Sequence, residues 1–245
     1  MVKKFFIANW KMNLDIKAAQ KFINQLDKKS VQLNEVVIAA PFTFLASIKE
    51  TATKKKIKLS AQDVSSFGIG PYTGEISAKM LKETGCQYCL VGHSERRLYF
   101  KENDWEINKK IKNLISENIR PILCIGENLD QRRKRQTEKT LKKQLNLALK
   151  NIDIMPLIAY EPVWAISTFQ KGKIKKAASS VDIIKAHKLI KNILRSKSRS
   201  VKVLYGGTVN PQNSKEILSL KEVDGALVGG ASLKSFSFNA IIKST

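Results

Sequence analysis

The chain has 245 residues, 43% hydrophobic and 27% charged, proportions of a globular protein that exclude wholesale disorder. Its 44 Lys and Arg against 21 Asp and Glu give a formal charge of +23, a strongly basic balance. The longest apolar runs are only strand-length, which excludes a membrane-spanning helix, and Met1 to Asn13 mixes Lys and Asn into its apolar stretch without the cleavage site of a secretory signal.

In chain order, short apolar, β-branched runs fall at Phe5–Ala8, Val36–Ala40, Ile57–Ala61, Cys89–Gly92, Pro121–Ile125, Leu157–Tyr160, Val201–Tyr205 and Ala226–Val228. None alternates with polar residues, as strands buried on both faces of a parallel sheet require. Between them lie lysine-rich stretches with helical apolar stripes, such as Ile16-Ala19-Phe22-Ile23-Leu26, Trp105-Ile107-Ile111-Leu114-Ile115 and Leu141-Leu145-Leu149. Eight strands alternating with helices, and no Gly-, Pro- or Ser-rich linker, predict an α/β fold: one closed, eight-stranded parallel (β/α)8 barrel as a single domain over residues 1–245. The rival is a doubly wound open sheet, whose G-x-G-x-x-G turn does not follow the first strand.

A barrel of this kind gathers its chemistry at the C-terminal strand ends. Here these read Asn9-Trp10-Lys11, Gln62-Asp63, Gly92-His93-Ser94-Glu95, Gly126-Glu127, Glu161-Pro162, Gly206-Gly207-Thr208 and Gly229-Gly230. The two Gly-Gly pairs fall after strands seven and eight, where barrels commonly bind phosphate. Glu161 precedes Pro162 at the rim of a dry pocket, a setting for a general base; alone it would read as a rim salt bridge. His93 opens a helix whose electropositive N-terminus favours a neutral imidazole able to polarise a carbonyl, whereas His187 reads as packing or surface. Lys11 and Asn9 flank Trp10 and share a strand face at period two. Three cysteines, Cys86, Cys89 and Cys124, are too few for a disulfide scaffold, and the Cys86-x-x-Cys89 pair lacks the second pair of a structural zinc site, so packed thiols in a cytoplasmic protein are expected.

These residues resemble the triosephosphate isomerase family over essentially the whole chain. The matching segments are Phe6 to Asn13, Gly92-His93-Ser94-Glu95-Arg96-Arg97, Cys124 to Glu127, Ala159 to Ile166, Tyr205 to Val209, Leu227 to Leu233 and the Tyr72-Thr73-Gly74-Glu75 loop. The resemblance implies interconversion of dihydroxyacetone phosphate and glyceraldehyde 3-phosphate through an enediolate, without metal or organic cofactor. It assigns Glu161 as the base, His93 as the polarising proton shuttle, Lys11 and Asn9 as charge-stabilising groups, and Glu95 as a supporting carboxylate. Backbone N–H groups of Ser167, Thr208, Gly229 and Gly230 would hold the phosphate, and the Tyr72–Glu75 loop would form a homodimer.

One departure stands out. After Ile166 the run is Ser167-Thr168-Phe169-Gln170-Lys171-Gly172, longer than the family's lid and without its tip glycines. Such a lid is expected to exclude water less well and to favour phosphate elimination. The rival to a working isomerase is therefore a lid-impaired isomerase-like protein with a basic, polyanion-binding surface. Arg132-Arg133-Lys134-Arg135 is its densest basic run, but aromatic content of 7% is poor for stacking bases, which argues against nucleic acid beyond nonspecific adhesion.

Overall fold

A computed structural model describes residues 3–166, 169, 177–195 and 200–245. Its elements run β1 (Phe5–Asn9), α1 (Ile16–Asn24), α2 (Lys28–Leu33), β2 (Glu35–Ala40), α3 (Phe42–Lys54), β3 (Lys58–Ala61), α4 (Ala78–Glu83), β4 (Tyr88–Val91), α5 (Ser94–Tyr99), α6 (Asp104–Ser116) and β5 (Arg120–Ile125). They continue α7 (Leu129–Arg133), α8 (Thr137–Ala148), β6 (Leu157–Tyr160), α9 (Ser180–Leu194), β7 (Val203–Tyr205), α10 (Ser214–Ser219), β8 (Gly225–Val228) and α11 (Ser235–Ile242), with 3₁₀ turns at Val163–Ala165 and Gly230–Leu233. The eight strands pair in parallel, each with the next, and β1 pairs with both β2 and β8 to close the barrel.

Strand alternation divides the core into two layers. Ile7, Val37, Leu90, Ile122, Leu157, Leu204 and Leu227 fill the barrel interior. Their neighbours Phe6, Ala8, Ile38, Val91, Leu123, Ile158, Val203 and Val228 face outward and pack against the helices. Both faces of every strand are thus buried, which is why the runs lack polar alternation. Trp10 locks the closure: its indole N–H donates to the Ser232 carbonyl at 3.1 Å and its edge meets Phe22 at 5.2 Å.

The structure departs from the sequence pattern at β7 and α6. Strand β7 starts at Val203 rather than Val201, where its ladder to β6 begins. Trp105 lies on the solvent side of α6 under the Lys150 ammonium, while the polar Asn108 and Lys110 are buried in its place. The three cysteines are buried and reduced. No described helix is long and apolar enough to cross a membrane.

His187 on α9 is fully buried. Its Nδ1 lies 3.2 Å from the Glu222 carbonyl, its ring stands edge-on to Tyr160, and Nε2 has no hydrogen-bond partner. Burial pushes its pKa from 6.5 down to about 4. The unfolded chain therefore binds a proton that the native protein refuses. Stability from this group is complete above pH 6.5 and is lost as pH falls through 4, by about 3 kcal/mol at most. Denaturant melts between pH 7 and 4 should show this loss in the wild-type chain and a shallower one in His187→Gln; equal slopes would contradict it.

Candidate active site

Continuing each strand by one period past its last interior residue gives the ring of groups at the barrel mouth. Ile7 leads to Asn9, Ser60 to Gln62, Ala159 to Glu161, Leu204 to Gly206 and Leu227 to Gly229. Asn9 and Glu161 supply polar groups there, buried to 4% and 2% exposure. The glycines supply space. A methyl group on Gly206 would lie 2.9 Å from Glu161 Cγ, so the carboxylate can occupy its place only because that residue has no side chain.

Lys11 arrives by a different route from the one strand periodicity suggests. Strand β1 ends at Asn9, and Lys11 takes a left-handed φ of +53°. For a residue with a Cβ this costs roughly 1–2 kcal/mol. Its neighbours enforce it: the Lys11 N–H donates to Asn9 Oδ1 at 3.0 Å, and Gln62 Nε2 donates to the Lys11 carbonyl at 2.9 Å. The turn aims the ammonium at Glu95, with Nζ 2.5 Å from Oε1.

The start of α5 organises the other groups. Gly92 takes a φ of +70°, which breaks the alternation of β4 and swings His93 into the N-cap position. His93 Nδ1 accepts the Glu95 N–H at 3.2 Å. A ring nitrogen that accepts carries no hydrogen, so the N–H is at Nε2, which points at Glu161 Oε1 from 3.2 Å. Glu161 Oε2 accepts the Ser94 N–H at 2.9 Å. Both carboxylate oxygens are thus engaged at rest. Beneath them the Cys124 thiol is pushed far up by burial and by the Glu161 charge beside it, and stays protonated.

Asn9, Lys11, His93 and Glu161 line a cavity of about 280 Å³ together with Gly206, Gly207, Thr208, Gly229 and Gly230. Thr208 is tied down by its hydroxyl, which donates to the Ala165 carbonyl at 2.8 Å. Glu95 stands behind His93 and Lys11 rather than in the cavity wall. Ser167 and the lid lysines 171, 173, 175 and 176 lie outside the described residues.

Sequence reasoning passed over two supports. Glu127 is fully buried and accepts from Tyr160 Oη at 3.1 and 3.2 Å and from Trp164 Nε1 at 2.9 Å. It thereby brackets the Glu161 segment from both sides. Gln62 holds the Lys11 turn. Their signal was present, a polar residue closing an apolar strand, but no chemistry attached to it.

Comparison with known proteins gives the family. The family model described as triosephosphate isomerase matches residues 4–245. A curated triosephosphate isomerase of Alkaliphilus metalliredigens is 43% identical over 99% of both chains. One from Francisella tularensis subsp. mediasiatica is 39% identical over 98% of this chain and 96% of its own. The crystal structure of triosephosphate isomerase from Bartonella henselae superposes with a TM-score of 0.89 at 32% identity, covering 99% of each chain.

The two histidines should hold opposite tautomers. In ¹⁵N-detected spectra at neutral pH, His93 should carry its hydrogen on Nε2 and His187 on Nδ1. A protonated Nδ1 on His93 would contradict the hydrogen bonding described here.

Proposed function

The chain belongs to the triosephosphate isomerase family, and from that premise we propose how its residues interconvert dihydroxyacetone phosphate and glyceraldehyde 3-phosphate. The observation that carries the assignment is the His93 Nε2 to Glu161 Oε1 contact of 3.2 Å, in a cavity that the glycine backbone of residues 206, 207, 229 and 230 also lines. A three-carbon sugar whose phosphate rests near Thr208, Gly229 and Gly230 presents its carbonyl and adjacent carbon to those two side chains. Ser167 joins the phosphate contacts in this proposal.

Glu161 removes the proton from the carbon next to the carbonyl. It must first leave the Ser94 amide, and substrate replaces water around it as it does so. His93 donates from Nε2 to the carbonyl oxygen as the enediolate forms, then passes a proton between the two oxygens. A neutral imidazole can do both jobs because one nitrogen is already pinned by Glu95. Lys11 sets positive charge beside the enediolate and the phosphate, and Asn9 offers its amide to the oxygen. Glu161 returns the proton to the neighbouring carbon. The sugar's two carbons exchange oxidation levels within one molecule, so the reaction as proposed needs no external redox group.

The rival reading of a lid-impaired, polyanion-binding relative is not favoured by kinship over the whole chain. Two of its four basic residues are also occupied: Arg132 pairs with Asp182 at 2.8 Å and Lys134 with Asp130 at 2.9 Å. The basic exterior instead helps to capture a phosphate dianion. The single-domain reading of residues 1–245 is supported by β1 and β8 closing one sheet, and a cytoplasmic setting by three reduced thiols.

The homodimer reading rests on a plug and a socket. Residues 67–75 form a loop in which every residue is exposed, pinned at its base by the Ser65 N–H to the Ile76 carbonyl and stiffened by Phe67 stacked on Tyr72 at 4.2 Å. Beside the catalytic groups a second cavity, of about 370 Å³, is lined by Met12, Phe42, Glu95 and Phe100. Met12 is 95% exposed and Phe100 67%, an apolar surface that a second copy's loop would cover.

A coupled assay with glyceraldehyde 3-phosphate should show turnover. Glu161→Gln should lower kcat by roughly 10²–10⁴-fold while the affinity for inorganic phosphate changes by no more than about two-fold. Retained turnover would place the base elsewhere. In sedimentation equilibrium the wild-type chain should run at twice its 27.6 kDa mass, and Ile69→Lys with Tyr72→Lys should halve it; a wild-type monomer would remove the dimer.

A further inference from the structure

We propose that Asp63 is a positioning residue for the catalytic end of α5, working with Gln62 to fix the reach between Lys11 and the Glu95–His93 pair. The inference rests on the isomerase reading above. Gln62 and Asp63 leave β3 side by side and grip the two halves of the site. Gln62 Nε2 donates to the carbonyls of Lys11 and Ala39, each at 2.9 Å. Asp63 accepts from Arg96 Nη2 at 2.8 Å and from Lys110 Nζ at 2.7 Å. Arg96 is the residue after Glu95, whose carboxylate holds the Lys11 ammonium and whose N–H pins His93 Nδ1.

Helix α5 has six residues, too few to keep its place without tertiary anchors. Arg97 provides one, donating to the Gly92 carbonyl at 2.7 Å and to Asp104 at 2.6 Å. Arg96 on Asp63 provides the other, on the side facing Lys11.

Stability alone is a poor reason for this arrangement. Asp63, Glu102, Arg96 and Lys110 form a cluster of two anions and two cations, with Lys110 also bonded to Glu102 and Arg96 Nε 3.5 Å from Glu102. Burial pushes the Asp63 carboxyl above its usual value against the pull of Lys110. Ion clusters that pay such desolvation add little to folding but hold their members in one geometry. Without Asp63, Arg96 and Lys110 would share Glu102 alone, and Arg96 would turn toward Glu102 and the Phe100 ring it already overlies at 4.8 Å. Glu95 would then lose its register against Lys11.

The test uses the full-length chain. Asp63→Ala should lower kcat roughly 10- to 10²-fold, the scale of a misplacement of about 1 Å, while KM stays within about two-fold. Asp63→Asn keeps an acceptor for Arg96 and should recover most of that loss. Wild-type kcat per folded molecule in Asp63→Ala would overturn the proposal, as would an Asn variant no better than Ala. If Asp63→Ala does not fold, Asp63→Ser, whose hydroxyl is too short to hold both Arg96 and Lys110, takes its place: a roughly 10-fold or greater fall in kcat at unchanged KM supports the role, and wild-type kcat overturns it. An inactive wild-type chain would instead defeat the isomerase reading. The His93 Nδ1 ¹⁵N shift then decides separately, moving in the Asp63 variants if Asp63 positions α5 and staying fixed if it does not.

Discussion

Two consecutive backbone amides at the start of α5 connect nearly every group of the site. The Ser94 N–H holds Glu161, and the Glu95 N–H takes the Nδ1 lone pair of His93. The same Glu95 reaches Lys11 with its carboxylate. A base from β6, a cation from the end of β1 and an imidazole after β4 are therefore referenced to one short segment of backbone. The left-handed turn at Gly92 makes this possible, because continued alternation would have turned His93 away from the mouth. The amides also have a chemical consequence. The imidazole is presented with its hydrogen outward, and the carboxylate is stored on a donor it must exchange for substrate.

The barrel was legible because a strand buried on both faces has little freedom of composition. Five of the mouth positions named from sequence, Asn9, Gln62, Glu161, Gly206 and Gly229, follow from the same period of two that builds the core. Lys11 was placed correctly for an incomplete reason: strand periodicity ends at Asn9, and a strained turn held by Asn9 and Gln62 does the aiming. Nothing in a lysine's identity announces a positive φ. Trp105 failed for a related reason. A helical stripe marks a face, but Lys110 and Asn108 have carbonyl or carboxylate partners that let them be buried on it, while an indole under a lysine does well at the surface. Glu127 and Asp63 were visible as polar residues at strand ends. Their partners, Trp164 and Tyr160 for one and Arg96 and Lys110 for the other, lie far apart in sequence and come together only in the closed barrel.

The charge of +23 is spread over helix faces and loops, while the acidic residues are largely placed in pairs and clusters that orient neighbours. The excess cations give the molecule a general positive field. For a dianionic three-carbon substrate such a field raises the rate of encounter, and its effect falls as salt shortens the Debye length to about 8 Å at physiological ionic strength. The exterior and the site thus act on the same phosphate by different means, one over distance and one by contact.

The central claim is that Glu161 and His93 act on one sugar held against the glycine wall. A crystal structure with glycerol 3-phosphate, which carries the phosphate but no carbonyl, tests it most directly. The account predicts the phosphate beside Gly229, Gly230 and Thr208, with the Glu161 carboxylate released from the Ser94 amide and turned toward the ligand carbons and His93 Nε2 toward its oxygens. A ligand bound away from these residues, or one seated there with its carbons beyond the reach of Glu161, would contradict it.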